Sequence, residues 1–228
     1  MSLLTVQTKL RAAGFDPGPL DGVWGRQTEA ALDAALSLAR TFRPVPVPAE
    51  SNAANVLRVC IDPALKLLPA RMDSVPARVI MLAITGQEAD FHHRWQVFDR
   101  ARPNAMGAAR GLGQFERGGA VKGVLTHPSS KPHAIEVCRK LGVPATVDAV
   151  YNALHANDVL AGAFIRLLLW TNPHALPAVG QEEAAFQLYL REWRPGAWTN
   201  GNPKQRDGLR QKWRGYYAAA VATVEGRK

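Results

Sequence analysis

The run Val79-Ile80-Met81-Leu82-Ala83-Ile84 constrains this chain most, because six consecutive apolar residues leave no polar face to turn toward water. Pro76 stands near its beginning and Gly86 near its end, which suits the first turn and the finish of a helix. A helix that is apolar all round is buried on every side. Glu88 closes the run, where such a helix would run out into a cleft. Burial and the negative end of the helix dipole both disfavour a charged carboxylate, so both raise its pKa. A carboxyl group kept protonated near neutral pH is what glycosidic-bond cleavage requires of its general acid.

The rest of the chain reads as mainly helical. Ala53 to Leu68 is amphipathic and interrupted around Pro63, and Val147 to Trp170 accommodates two helices. Glu182 to Trp193 opens on acidic residues that suit a helix N-terminus, and Gln205 to Glu225 forms the last helix. Strand-like alternation is scarce, and the glycine-rich stretch Gly111 to Val124 is the best candidate for a short hairpin. At the amino terminus Leu3, Val6 and Leu10 share a helix face, Gly14, Gly18 and Asp21-Gly22 provide turns, and Thr28 to Leu38 has an apolar face. Phe42 to Ser51 alternates proline with small apolar residues, as an extended spacer does. The expected organisation is a small domain over 1–40, a Pro-rich linker over 41–51 and a larger domain over 52–228.

Two groups of residues carry a family resemblance. Glu88 and Phe91, followed by Gly111-Leu112-Gly113-Gln114, resemble the Glu-Ser-x-Phe and Gly-Leu-Met-Gln segments of the lysozyme-like superfamily, closest to its lytic transglycosylases and phage endolysins. Ala89 stands for the usual serine and Gly113 for the usual methionine. Val6-Gln7, Leu10, Gly14-Phe15 and Gly18-Pro19-Leu20-Asp21-Gly22-Val23-Trp24-Gly25, with Thr28 and Ala31-Leu32, resemble the peptidoglycan-binding domain of many wall hydrolases. That family's closing Phe-Gln pair is missing here. The resemblances imply a small three-helix wall-binding module joined to a lysozyme-like domain of helices with a small β element. They imply Glu88 as catalytic acid and base, Gln114 as substrate-binding, and Asp21, Gly22, Trp24, Gly25 and Thr28 as wall-binding. The family's late tyrosine segment has its echo in Tyr189 to Gly196, so either Trp193 or Tyr189 occupies its place beside the acid. Phe91 is a further candidate to stack on sugar rings.

The reaction expected is cleavage of the β-1,4 bond between N-acetylmuramic acid and N-acetylglucosamine in peptidoglycan. Hydrolysis needs a second carboxylate, about 5 Å away for retention and about 6.5–9.5 Å away for inversion. Asp99 and Glu116 are the candidates, since the side chain of Asp90 diverges from that of Glu88 on a continuing helix. A lytic transglycosylase needs no second carboxylate, because in that family the sugar's own C6 hydroxyl closes a 1,6-anhydro ring. This favours the transglycosylase over the hydrolytic muramidase, with a catalytically dead wall-binding protein as the third alternative.

Charge and composition bound the partners. The formal net charge is +9, and Arg191, Arg194, Lys204, Arg206, Arg210, Lys212 and Arg214 face only Glu192 and Asp207 near the end. A basic surface of this kind meets polyanions such as wall peptides or lipopolysaccharide phosphates; no DNA-recognition motif accompanies it. Cys60 and Cys138 read most simply as two buried, reduced thiols of an unexported chain, with a disulfide between them as the alternative. The six histidines show no metal-ligand spacing and no cofactor motif is present, so neither metal nor cofactor is expected. The start lacks a basic n-region and cleavage site. The resemblance therefore implies a monomer waiting in the host cytoplasm until a holin releases it to the wall.

Overall fold

A computed structural model describes residues 2–41, 53–97 and 106–226. Residues 42–51 of the expected spacer, and Phe98 and Asp99, lie outside these. The chain is mainly helical, and its buried apolar side chains form two separate clusters.

The smaller cluster belongs to α1 (Leu3–Ala12) and α2 (Arg26–Thr41). Ser2 caps α1 by accepting the Thr5 amide, and Leu10, Phe15 and Ala31 close the core between the helices. Here the expectation of three helices is corrected to two. Residues 13–25 run as turns, because Pro17 and Pro19 lack amide donors and Gly14, Gly18 and Gly22 all take positive φ.

The larger cluster starts with α3 (Ala53–Val56), a π-helical turn over Leu57–Ile61 and α4 (Asp62–Leu67), which run into one another. The break expected at Pro63 takes the form of this wide turn, which lets the helix continue past a residue without an amide donor. A 3₁₀ turn over Ala70–Met72 leads to α5 (Val75–Ala89), the helix of the apolar run, capped by Ser74 with Pro76 in its first turn. Val79 through Gln87 are all buried.

Three short strands follow: β1 (Trp95–Val97), β2 (Met106–Arg110) and β3 (Phe115–Glu116), antiparallel in the order β1-β2-β3. The β element is therefore earlier than the Gly111–Val124 hairpin expected. Gly111 to Gln114 make the turn between β2 and β3, and Arg117–Val121 is a π-helical turn, kinked at Gly119. Helices α6 (Lys122–Thr126), α7 (Lys131–Lys140), α8 (Val147–Ala153) and α9 (Asp158–Thr171) come next. The paired Arg94 and Asp158, 2.6 Å apart and nearly buried, tie the entry to β1 to the start of α9. The chain ends in α10 (Glu182–Trp193), α11 (Gly196–Thr199) and α12 (Pro203–Glu225), the last capped by a reciprocal Asn202–Gln205 box.

Helix α12 lies along α5. Gly86 permits this contact: a Cβ there would stand 2.3 Å from the Tyr216 ring. Among the described residues no helix is long and apolar enough to cross a membrane. Cys60 and Cys138 are free and buried, and burial pushes the Cys138 thiol up to about 12.

Candidate active site

The end of α5 decides where Glu88 points. Asp90 and Phe91 both take left-handed backbone, φ 48° and 65°, so the helix stops abruptly one turn after Gly86. That costly conformation is held from α12. Tyr216 donates to Asp90 Oδ1 at 2.5 Å, and Lys212 lies 3.1 Å from the same oxygen. Lys212 also donates to the Gln87 carbonyl at 2.8 Å, satisfying a last-turn acceptor. Asp90 is thus engaged away from Glu88, in line with the divergence expected of neighbours two apart.

Glu88 faces a cleft of about 850 Å³ that runs between the last turn of α5, the β2–β3 turn, the segment 116–123 and the end of α10. Tyr189 on α10 donates its hydroxyl to Glu88 Oε1 at 2.6 Å. The Tyr189 ring is held by its neighbours, stacked on the fully buried Trp213 at 5.0 Å and on Phe186 at 6.1 Å. Of the two aromatics expected near the acid, Tyr189 is the one that reaches it. Trp193 instead lines the cleft wall and donates its indole N–H to the Gly113 carbonyl at 2.9 Å.

The acid–base balance at Glu88 follows from these contacts. Removal from water raises its pKa from 4.5 to about 7, against the opposing pull of the Tyr189 hydrogen bond and the Lys212 charge. The Tyr189 hydroxyl is pushed up, chiefly by its own burial and then by the Glu88 charge, so it stays a donor.

The second sequence segment arrives at the same cleft. Gly111 has φ 71° and Gln114 φ 48°, a tight turn that needs a left-handed residue at both ends. The Gln114 amide nitrogen donates to the carbonyls of His93 and Gly111 at 3.2 and 3.0 Å, and the side chain lines the cleft. Gly113, the departure from the family methionine, has no room for a side chain. A Cβ would lie 2.6 Å from Phe115 and 2.9 Å from Ile165. Glu116 is exposed and lines the same cleft; Asp99 lies outside the described residues. Phe91 is corrected: it is 8% exposed and not in the cleft lining, because the left-handed turn swings it behind α5, edge-on to Tyr216 at 5.2 Å.

Sequence reasoning gave no cleft role to Gln87, Arg191, Arg194 or Lys212. Gln87 is 4% exposed with a side-chain carbonyl oxygen that has no partner, and Arg191 and Arg194 line the same cleft as Glu116. Gln87 sits beside the acid in a helix too apolar to suggest a polar role. Lys212 reads in sequence only as part of the basic surface, since nothing local in α12 tells which of its cations folds back on α5.

At the amino-terminal helices the five expected wall-binding residues divide. Gln7, 1% exposed, organises the turn: its amide nitrogen donates to Asp21, to the Val23 carbonyl and to Thr28, and its oxygen accepts the Gly22 amide at 2.8 Å. Thr28 is buried and donates to the Pro17 carbonyl at 2.9 Å. Asp21, Gly22 and Thr28 therefore hold the loop's shape. Trp24 is 49% exposed beside exposed Val23 and Leu20, and Gly25 has open space around it. Asp21 is exposed as well, so Asp21, Trp24 and Gly25 form the solvent-facing side of this loop and Thr28 its buried side.

No group of three or more histidine, cysteine, aspartate and glutamate side chains is placed to share a metal ion among the described residues. Comparisons of the chain with protein families, curated proteins and solved structures give no match.

Proposed function

We propose that this protein cleaves the glycan strand of bacterial peptidoglycan at the β-1,4 bond between N-acetylmuramic acid and N-acetylglucosamine, with Glu88 as general acid and then base. The observation that carries the reading is a carboxyl group titrating at about 7, held by Tyr189 on the wall of a cleft of about 850 Å³. A general acid performs best when its pKa lies near the working pH, and a cleft of this size falls within the range of ligand-binding sites. With Oε1 accepting from Tyr189, Oε2 is left to carry the proton to the glycosidic oxygen. Once that proton is given up, the Tyr189 hydroxyl and the Lys212 charge stabilise the carboxylate.

The favoured outcome is a lytic transglycosylase, in which the carboxylate then takes the proton of the C6 hydroxyl as the anhydro ring closes. In this reading no second carboxylate is required. Hydrolysis is the second reading, and Glu116 on the same cleft lining supports it. The amino-terminal pair of helices, with Trp24 exposed, would hold the wall and raise the local substrate concentration. Release of the protein to the wall at the end of a phage infection belongs to the same proposal.

The test is digestion of purified peptidoglycan by the wild-type protein and by Glu88→Gln, with muropeptides read by mass spectrometry. Products one water lighter than ordinary muropeptides identify the transglycosylase, and ordinary reducing ends identify the hydrolase. Equal activity of wild type and Glu88→Gln removes Glu88 from the role of general acid.

A further inference from the structure

A second cavity, of about 510 Å³, opens beside the start of α5 and the end of α9. Its lining includes Arg71, Ser74, Ser129, Arg166, Trp170 and His174, and no carboxylate. Arg166 is the unusual member, the only charged side chain in an otherwise apolar stretch of α9 and just 3% exposed. Its Nε donates to the Met72 carbonyl at 2.7 Å and its guanidinium lies 5.1 Å from the centre of the Trp170 ring, but Nη1 is buried without a partner.

A buried cation needs a compensating anion, because the cost of leaving water is otherwise unmatched. Asp73 acts on Arg166 only through its charge: both of its oxygens hydrogen-bond to Arg78, at 2.9 and 2.6 Å, and Asp62 pairs with Arg78 as well. Desolvation accordingly pulls the Arg166 pKa down to about 10. Arg71, exposed at the rim, adds a second guanidinium over the same Trp170 ring at 5.6 Å. Two cations, two exposed serine hydroxyls and an aromatic wall thus converge on a space with no acid in it.

We propose that this cavity binds an oxyanion, a carboxylate or phosphate carried on a small polar molecule, with Arg166 as its buried cation and Arg71 as its rim cation. The volume exceeds what a bare ion needs and falls within the range of small-molecule sites. Fork-shaped guanidinium donors suit either oxyanion. The site stands independently of any chemistry at Glu88, although the two spaces are neighbours. Asn172, in the lining of the second cavity, donates at 2.9 Å to Glu192, in the lining of the cleft.

The experiment follows the indole N–H signals of the ¹⁵N-labelled full chain while inorganic phosphate, acetate or a muramyl dipeptide is titrated in, with Trp170→Phe identifying the Trp170 signal. The expected result is a saturable shift of the Trp170 signal whose apparent Kd weakens at least about tenfold in Arg71→Gln. Arg166→Met risks the fold, so the exposed Arg71 carries the test, with an unchanged circular dichroism spectrum and Tm as control. Tighter binding of phosphate assigns a phosphate-bearing ligand, and tighter binding of the dipeptide assigns a wall-peptide carboxylate; both support the site. No saturable shift with any probe, or equal affinity in Arg71→Gln, overturns it. Glu88→Gln is expected to bind every probe as wild type does, which keeps this outcome separate from the fate of the glycan-cleavage proposal.

Discussion

Glu88→Gln replaces an acid by an uncharged side chain of nearly the same shape, one whose oxygen still accepts the Tyr189 hydrogen bond. Its effect on stability follows from proton linkage. In the folded protein Glu88 titrates at about 7 against an ordinary value of 4.5, so between these values the folded state holds a proton that the unfolded chain has released. Stability from this group is complete below pH 4.5 and is lost as pH rises through 7. At about 1.4 kcal/mol per pH unit the full gap amounts to about 3 kcal/mol. Glu88 is partly rather than fully sealed from solvent, so about 2–3 kcal/mol is the figure to expect. The assay is urea unfolding of wild type and variant from below pH 4.5 to above pH 7. Tryptophan fluorescence reports it well, since five of the six tryptophans lie after residue 52. Other titrating groups cancel in the difference between the two proteins. The stability of Glu88→Gln relative to wild type should rise by about 2–3 kcal/mol across that window. A difference that stays flat within about 0.5 kcal/mol would refute the reasoning, because the Glu88 proton would then be no more tightly held in the folded state.

Further expectations concern activity, packing and the amino-terminal module. Glycan cleavage should fall away above pH about 7 as Glu88 loses its proton. Tyr189→Phe removes a contact that lowers the Glu88 pKa, so that alkaline limb should move to higher pH while kcat falls about tenfold; an unmoved limb would exclude Tyr189 from tuning the acid. Gly113→Met, which restores the family residue, should destabilise by about 1–3 kcal/mol, because Phe115 and Ile165 already fill the space; a Tm equal to wild type would contradict that packing. In pull-down on purified wall, Trp24→Ala should weaken retention without changing the fold. Gln7→Ala should instead destabilise the module by about 1–3 kcal/mol, since it removes the buried side chain that ties Asp21, Gly22, Val23 and Thr28 together.

How far the site was legible depended on whether its parts are local. Glu88, Gln114 and the turn around Gly111 lie in short segments whose apolar run, glycines and helix signals are all readable in sequence, and these segments do meet at one cleft. Tyr189 could be placed in the right helix, but not preferred over Trp193. The two are one turn apart, and only the pile of Phe186, Trp213 and Trp193 around the Tyr189 ring decides which one points at the acid. Phe91 misled because the left-handed pair Asp90 and Phe91 reverses its direction, and that pair is sustained by Tyr216 and Lys212 of α12. Thr28 lies buried under its loop, which the motif alone does not reveal, because a motif does not separate exposed residues from those that shape the backbone.

By itself, the sequence determined the helical class, the identity and approximate limits of α5, α10 and α12, and the placement of one carboxyl at the end of a buried helix. These are consequences of apolar periodicity, capping residues and turn chemistry, all of which act within a few residues. Tertiary structure decided how far the Glu88 pKa rises. That depends on desolvation, on a hydroxyl from α10 and on a cation from α12, three contributions from distant parts of the chain that partly cancel. It also decided that Arg166 Nη1 is left without a hydrogen-bond partner, while both oxygens of Asp73 bond to Arg78. Pairing among buried charges is settled by which side chains arrive together in space, and no local pattern encodes that.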